Sequence, residues 1–231
     1  PRFADLSGQL DFRLGRQLAC YQRQDPPPRR VKPIPLPVLQ FVVNADFANR
    51  SPFLATLCDL IVIAFFFLLR PGEYVASTSD TAAPFRLQDV HLYAGRFKLD
   101  LTTASDAELW SATYVALEFS TQKNGVKGEL IGLWKSGHDF WCPVRAVIRR
   151  VLHLRRNHAA APAPLHCFFD RHTSRWLGIN SGHVTAHLRG AVLAMGASYG
   201  LVAADITARA LRCSGAMAML CADIDTDRIR L

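Results

Sequence analysis

The longest apolar run in the chain, residues 60–69, limits how the protein can fold. Asp59 precedes the run and Arg70 ends it, so ten apolar residues stand in a row. A helix that crosses a bilayer needs about 20 such residues. The run therefore predicts a helix in the core of a globular protein. We expect this helix over residues 51–70, beginning at a serine–proline pair that favours a helix start and ending at a proline–glycine pair.

The remaining segments predict a domain of the α+β class that is mainly α. Helical spacing of apolar residues predicts helices over 35–49, 143–156 and 181–199, and a last helix that carries Arg209 and Arg212 and is capped by Asp205 or Thr207. Alternating patterns predict strands over 96–102, 112–119 and 129–134, with a hairpin turn at Lys123-Asn124-Gly125. Along the sequence we therefore expect helices first, then a small three-stranded antiparallel sheet, and then further helices.

The charge of the chain favours a polyanionic partner. Its 27 Lys and Arg residues exceed its 19 Asp and Glu residues, which gives a net charge of +8. Such a balance in a globular protein favours nucleic acid first, although a solvated basic surface is the simpler alternative. A proline-rich basic stretch ending at Arg29 and Arg30 predicts a linker, with domains over 1–31 and 32–231.

Two arginines adjoin strongly apolar helical segments about 140 residues apart, Arg70 in the first and Arg212 in the second. Burying an arginine beside a core helix is costly unless an anion meets it. Guanidinium geometry suits phosphate oxygens, so a shared phosphate is one interpretation. A salt bridge from Arg70 to Glu73 and a solvent-exposed pair formed by Arg209 and Arg212 are the alternatives.

With these motifs the chain resembles the catalytic domain of the tyrosine recombinase (phage integrase) family. The first family motif is an apolar helix that ends in Leu-Arg-x-x-Glu, and the second is a His-x-Leu-Arg helix start followed by small residues. The matching residues are Leu69, Arg70 and Glu73 in the first motif and Leu211, Arg212, Gly215 and Ala216 in the second. The resemblance covers roughly residues 33–231 and implies the helical DNA breaking–rejoining fold.

The resemblance also implies a mechanism and the residues that perform it. In the family a tyrosine attacks a DNA phosphodiester to form a 3′-phosphotyrosine, two arginines stabilise the phosphate charge, and a hairpin lysine protonates the leaving 5′-oxygen. The implied catalytic residues are Arg70, Lys123, Arg209 and Arg212, with Glu73 in support. Lys127 is a possible substitute for Lys123. No metal or cofactor is implied. Arg209 departs from the pattern because the family usually has His or Lys there.

The resemblance further implies a nucleophilic tyrosine after Arg212, and the sequence has none there. We therefore expect a fragment that binds double-stranded DNA but does not cleave it, from a protein that self-assembles on DNA. Two alternatives are a non-enzymatic DNA-binding protein on a decayed recombinase fold and a type IB topoisomerase-like enzyme. A helical protein-interaction scaffold is a third. Further DNA contacts are expected from Arg29, Arg30, Lys127, Arg145 and Arg149.

The cysteines and histidines predict neither disulfides nor a metal site. The six cysteines contain no CxxC pair, so thiols in a reducing compartment are expected. His183 and His187 are four residues apart, but the glutamate of a metalloprotease motif is missing between them. We expect an intracellular, DNA-associated protein, nuclear in a eukaryote or cytoplasmic in a prokaryote, without a membrane partner.

Overall fold

The computed structural model describes residues 31–47, 51–76, 83–119, 128–160 and 162–224. The chain divides into two compact units, 1–30 and 31–231, and all described residues belong to the second unit. The predicted linker lies outside the described residues, and so does the predicted hairpin turn.

The described part contains seven α-helices. They are α1 (Leu36–Phe47), α2 (Pro52–Phe66), α3 (Pro71–Tyr74), α4 (Asp106–Trp110), α5 (Pro143–Arg156), α6 (Ser181–Met195) and α7 (Ala210–Cys221). Short 3₁₀ turns lie at Leu87–Asp89, Gly196–Tyr199 and Ala203–Asp205. The bounds predicted for α5 are confirmed, and α1 lies within its predicted range. The helix predicted over 181–199 is α6 followed by a 3₁₀ turn, and it ends at Gly200 as expected.

The helix predicted over 51–70 is shorter than expected. Its serine N-cap is confirmed, since the Ser51 side chain accepts a hydrogen bond from the Leu54 amide. The helix ends at Phe66, and Leu68 takes a left-handed conformation with φ +53°. Proline restricts the residue before it to extended backbone, and Arg70 accordingly has ψ 150°. The chain then turns at once into α3, so Arg70 lies in a corner between two helices.

The strands form two antiparallel sheets. The first has the order β2-β1-β3-β4, with β1 (Val90–Ala94), β2 (Phe97–Lys98), β3 (Tyr114–Phe119) and β4 (Glu129–Trp134). The second pairs β5 (Cys167–Asp170) with β6 (Arg175–Gly178). The predicted strands β3 and β4 are confirmed. The prediction of three strands is wrong. The first predicted strand, 96–102, contains only β2, and β1 lies before it, on the other side of a turn at Gly95 with φ +60°.

Helix α2 is the centre of the hydrophobic core. It packs against α1, α5 and α7, and its residues 56–65 are all buried. The inner face of the large sheet packs on α5 through β3 and β4. The helical spacing of the sequence predicts Arg145, Arg149, Arg150 and Arg156 on the side of α5 opposite its apolar stripe, and this is wrong for Arg150, which is 1% exposed. The described fold is a mixture of helices and sheets, consistent with the predicted α+β class.

Among the helices that the structure describes, none has the length and apolar character required to cross a membrane.

Candidate functional site

Arg70 and Arg212 line the same small pocket, although 142 positions separate them in the sequence. The pocket lies where the corner after α2, the start of α7 and the ends of β3 and β4 meet. Its lining consists of Phe67, Leu68, Arg70, Glu73, Phe119, Ile131 and Arg212. The two arginines that the sequence singled out therefore form part of one site.

The corner between α2 and α3 holds Arg70 against Glu73. The Arg70 amide donates a hydrogen bond of 2.6 Å to Glu73 Oε2, and its Nη1 donates one of 3.1 Å to Oε1. The salt bridge considered from the sequence is thus present. It leaves the Arg70 side chain 39% exposed, whereas the Glu73 side chain is 17% exposed. Glu73 therefore orients the guanidinium group while part of that group still faces solvent.

Arg212 reaches the same corner from the first turn of α7. Its Nη1 donates a hydrogen bond of 2.9 Å to the Leu68 carbonyl oxygen, which the break in the helix leaves available. Burial lowers the pKa of Arg212, the positive charge of Arg70 lowers it further, and Glu73 partly offsets both effects. Two guanidinium groups thus repel each other beside one carboxylate. The trio carries one net positive charge, which an anion in the pocket would neutralise.

Close packing of α7 on the end of α2 places Arg212. A Cβ atom at Gly215 would lie 2.3 Å from the Phe65 carbonyl oxygen and 2.4 Å from Leu68 Cδ2, so only glycine fits at this contact. The Ser214 hydroxyl accepts a hydrogen bond of 2.7 Å from the Ile34 amide and donates one of 2.7 Å to the Ala210 carbonyl. These contacts fix both the distance and the rotation of α7.

Tyr74 is buried behind the pocket and has a structural role. Its hydroxyl donates a hydrogen bond of 3.3 Å to the Ala208 carbonyl, and only 2% of the residue is exposed. Burial raises its pKa. The contact joins α3 to the segment that leads into α7, and a phenol held in this way is shielded from solvent.

Of the other predicted catalytic residues the structure describes only Arg209, which is not part of the lining of this pocket. Arg209 is exposed at the N-cap of α7, and the helix begins at Ala210 without a cap from Asp205 or Thr207, so that predicted start is wrong. Lys123 and Lys127 lie outside the described residues, as do Arg29 and Arg30.

Two of the predicted DNA contacts form ion pairs within the domain. Arg149 Nε donates a hydrogen bond of 2.6 Å to Asp59 Oδ1, and Arg145 Nη1 lies 2.5 Å from Asp139 Oδ1. The Asp59 side chain is 4% exposed, and burial raises its pKa against the opposing effect of nearby arginines. Arg149 thus compensates a buried charge on α2. Its contact with DNA, like that of Arg145, stays a prediction.

Arg150 is a buried cation that sequence reasoning missed. Its guanidinium group donates hydrogen bonds to the Leu165 carbonyl, the Thr56 hydroxyl and the Cys167 carbonyl. Burial lowers its pKa to about 10. The sequence does not show that Arg150 differs from the neighbouring arginines of α5. The helical pattern places it at the edge of the apolar face, where an arginine can be either buried or exposed. Its contacts join α2, α5 and β5, and this role is structural.

Two histidines near Arg150 make the stability of the fold depend on pH. Burial, assisted by the positive charge of Arg150, lowers the pKa of His166 and of His153 to about 4. An unfolded histidine has a pKa of about 6.5. Between these two values the unfolded chain binds more protons than the folded one. The free energy of unfolding therefore falls as the pH decreases through this window.

We expect His166→Gln to weaken this pH dependence, because glutamine keeps a polar group but gains no proton. Urea denaturation midpoints measured across the window, from about pH 6.5 down to about pH 4, provide the test. His172→Gln, at an exposed turn position, is the matched control and should keep the wild-type dependence. An unchanged dependence in His166→Gln would contradict the assignment.

The two histidines that are four residues apart, His183 and His187, both lie on α6. His183 Nδ1 accepts a hydrogen bond of 3.3 Å from the Asn180 amide, and its ring packs edge-on against Phe53. No group of three or more potential ligand residues occurs among the described residues. His183 therefore completes the N-terminal cap of α6.

Comparison of the chain with protein-family models, with curated proteins and with solved structures gave no match.

Proposed function

We propose that this domain binds a DNA backbone phosphate at Arg70 and Arg212 and takes part in DNA strand cleavage and rejoining of the tyrosine recombinase type. The observation that supports the proposal best is the convergence of these two arginines on one pocket. A structural salt bridge alone would need one arginine for Glu73, whereas the pocket contains two. The excess positive charge suits a phosphodiester.

The geometry suggests a separate task for each of these three side chains. Arg212 is held at Leu68 by one of its nitrogen atoms, so its position is fixed before DNA arrives. Arg70 is oriented by Glu73 and remains partly exposed, which suits direct contact with a non-bridging phosphate oxygen. Fixed donors of this kind stabilise charge that grows in a transition state without having to reorganise. Lys123 or Lys127 would supply the proton to the leaving 5′-oxygen.

A DNA-binding protein without cleavage activity is the second candidate function. Arg209 favours it, because an arginine at this position does not exchange protons at ordinary pH and cannot replace a histidine as an acid or base. This candidate keeps the phosphate contacts and predicts no catalysis. A topoisomerase-like activity would use the same residues and differs in that it joins no second DNA site.

Duplex DNA binding tests the phosphate site that both candidates share. Each phosphate contact contributes a slope of about −0.9 to log K against log salt. We expect Arg212→Ala and Arg70→Ala each to make the slope shallower by about one such contact, measured by fluorescence anisotropy over a salt series. Arg171→Ala removes the same charge from an exposed turn between β5 and β6 and is the matched control. Equal slopes in all three variants would contradict the phosphate site.

A further inference from the structure

The outer face of the large sheet carries a row of aromatic side chains. Tyr93 on β1, Tyr114 on β3 and Trp134 on β4 are direct partners in the strand pairing, and Lys98 on β2 continues the row. Side chains on a strand alternate between its two faces. Phe119 and Ile131, which line the arginine pocket, therefore lie on the opposite face from Tyr114 and Trp134. The row is a separate surface from the arginine site.

The rings are packed against each other and still reach solvent. The ring centroids of Tyr93 and Tyr114 are 5.8 Å apart, and those of Tyr114 and Trp134 are 4.8 Å apart. A Cβ atom at Gly132 would lie 1.7 Å from the Tyr114 hydroxyl oxygen, so the glycine allows that ring to lie against β4. Trp134 is 68% exposed. The row thus fixes one side of the indole and leaves much of it open.

Positive charges lie in and beside the row. Lys98 lies in it and Arg96 stands in the turn between β1 and β2, both exposed, whereas the exposed Lys135 follows Trp134 and by the same alternation belongs to the opposite face. None of the three enters an ion pair within the part of the chain that the structure describes. On the same face the carboxylate of Glu118 pairs with His91, with 3.1 Å between Oε2 and Nε2. The surface thus combines aromatic rings with cations available to an anionic partner.

We propose that this surface, the residues Tyr93, Arg96, Lys98, Tyr114 and Trp134, binds an unpaired nucleic-acid strand. A base stacks on the indole of Trp134, and Lys98 and Arg96 contact the neighbouring phosphates. Aromatic side chains accept bases of any sequence because every base has a π face. In a duplex both faces of each base are already covered, so the rings select unpaired strands. The proposal is independent of the function proposed for the arginine pocket.

Binding of a labelled oligothymidylate, compared with a hairpin duplex of the same charge, tests the proposal. We expect Trp134→Ala to weaken oligothymidylate binding about tenfold, as loss of one stacked base does, and to leave duplex binding unchanged. Phe41→Ala, at an exposed aromatic residue of α1, is the matched control and should bind both ligands like the wild type. The double variant Arg96→Ala/Lys98→Ala should make the single-strand salt slope shallower by about 1.4.

Three outcomes would overturn the proposal. The first is that the wild type does not bind oligothymidylate. The second is that Trp134→Ala loses affinity equally for oligothymidylate and for the duplex. The third is that a Trp134→Ala protein with wild-type thermal stability keeps the wild-type affinity for oligothymidylate. Trp134→Phe keeps a ring and should retain most of the affinity, which separates stacking from a defect in folding. Arg212→Ala should weaken duplex binding alone, so failure of the arginine site and failure of this surface give different results.

Discussion

Replacing Arg212 with alanine is expected to slow the rejoining of a nicked DNA strand by about 10²–10³-fold, the usual effect of losing one fixed donor to a developing oxyanion. The substrate is a nicked duplex with a p-nitrophenyl phosphodiester at its 3′ end and a free 5′-hydroxyl. The 5′-oxygen attacks phosphorus, the bond to the aryl oxygen breaks, and p-nitrophenolate leaves while the hydroxyl proton passes to solvent. This substrate already contains an aryl ester, so the reaction needs no tyrosine after Arg212.

Release of p-nitrophenolate and the ligated strand on a denaturing gel measure the rate. Binding of the same substrate should weaken only about tenfold, because the charge of Arg212 matters most in the transition state. Arg171→Ala is again the control for the loss of one positive charge. A wild-type protein that binds the nicked duplex but joins nothing would reject catalysis and favour the DNA-binding protein. A wild-type rate in Arg212→Ala would reject the assigned role of that residue.

Gly215→Ala is expected to destabilise the domain by about 3 kcal/mol, at the upper end of the usual cost of overpacking. The new methyl group would overlap the Phe65 carbonyl, which belongs to the backbone and cannot rotate away as a side chain can. Helix α7 must therefore move away from α2. For a domain of this size the loss corresponds to a decrease of about 10 °C in Tm.

The matched control for this change is Gly190→Ala on α6. A Cβ atom at Gly190 meets nothing within 4 Å, so the substitution should stabilise the helix by about 0.5–1 kcal/mol. Differential scanning calorimetry of the two variants gives the change in Tm for the same Gly→Ala substitution at a tightly packed position and at an open one. Gly215→Ala should also slow rejoining, since a displaced α7 loses the hydrogen bond from Arg212 to Leu68. Equal stabilities would show that α7 and α2 are not closely packed at Gly215.

The sequence was sufficient to predict most helices and two of the strands, because they follow from local patterns. Helix α5 has a wide apolar stripe that begins at a proline, and its bounds are as predicted. The end of α2 was not predictable in the same way, since Phe67, Leu68 and Leu69 continue its apolar pattern while the backbone has already left the helix. Strand β1 was missed because the first strand was predicted to begin at Arg96, after the turn at Gly95.

The candidate site was predictable only in part. The positions of Arg70 and Arg212 beside apolar segments indicated a common ligand, and both line one pocket. The pairing of Arg149 with Asp59 joins residues 90 positions apart, and the burial of Arg150 depends on carbonyl groups of a sheet that was not predicted. Contacts of this kind depend on tertiary packing, so local spacing contains no sign of them.

The hydrogen bonds that hold α7 against the rest of the domain also determine when the site can form during folding. Ser214 bonds to Ile34 across 180 positions, Arg212 to Leu68 across 144, and Tyr74 to Ala208 across 134. Closing loops of this length is entropically costly, and proteins dominated by such distant contacts fold slowly. During synthesis on the ribosome, the corner with Arg70 is translated well before α7, the last described helix, and cannot pack against α7 until that helix has been translated. The proposed phosphate site would therefore form only after α7 has been synthesised and has packed against the corner with Arg70.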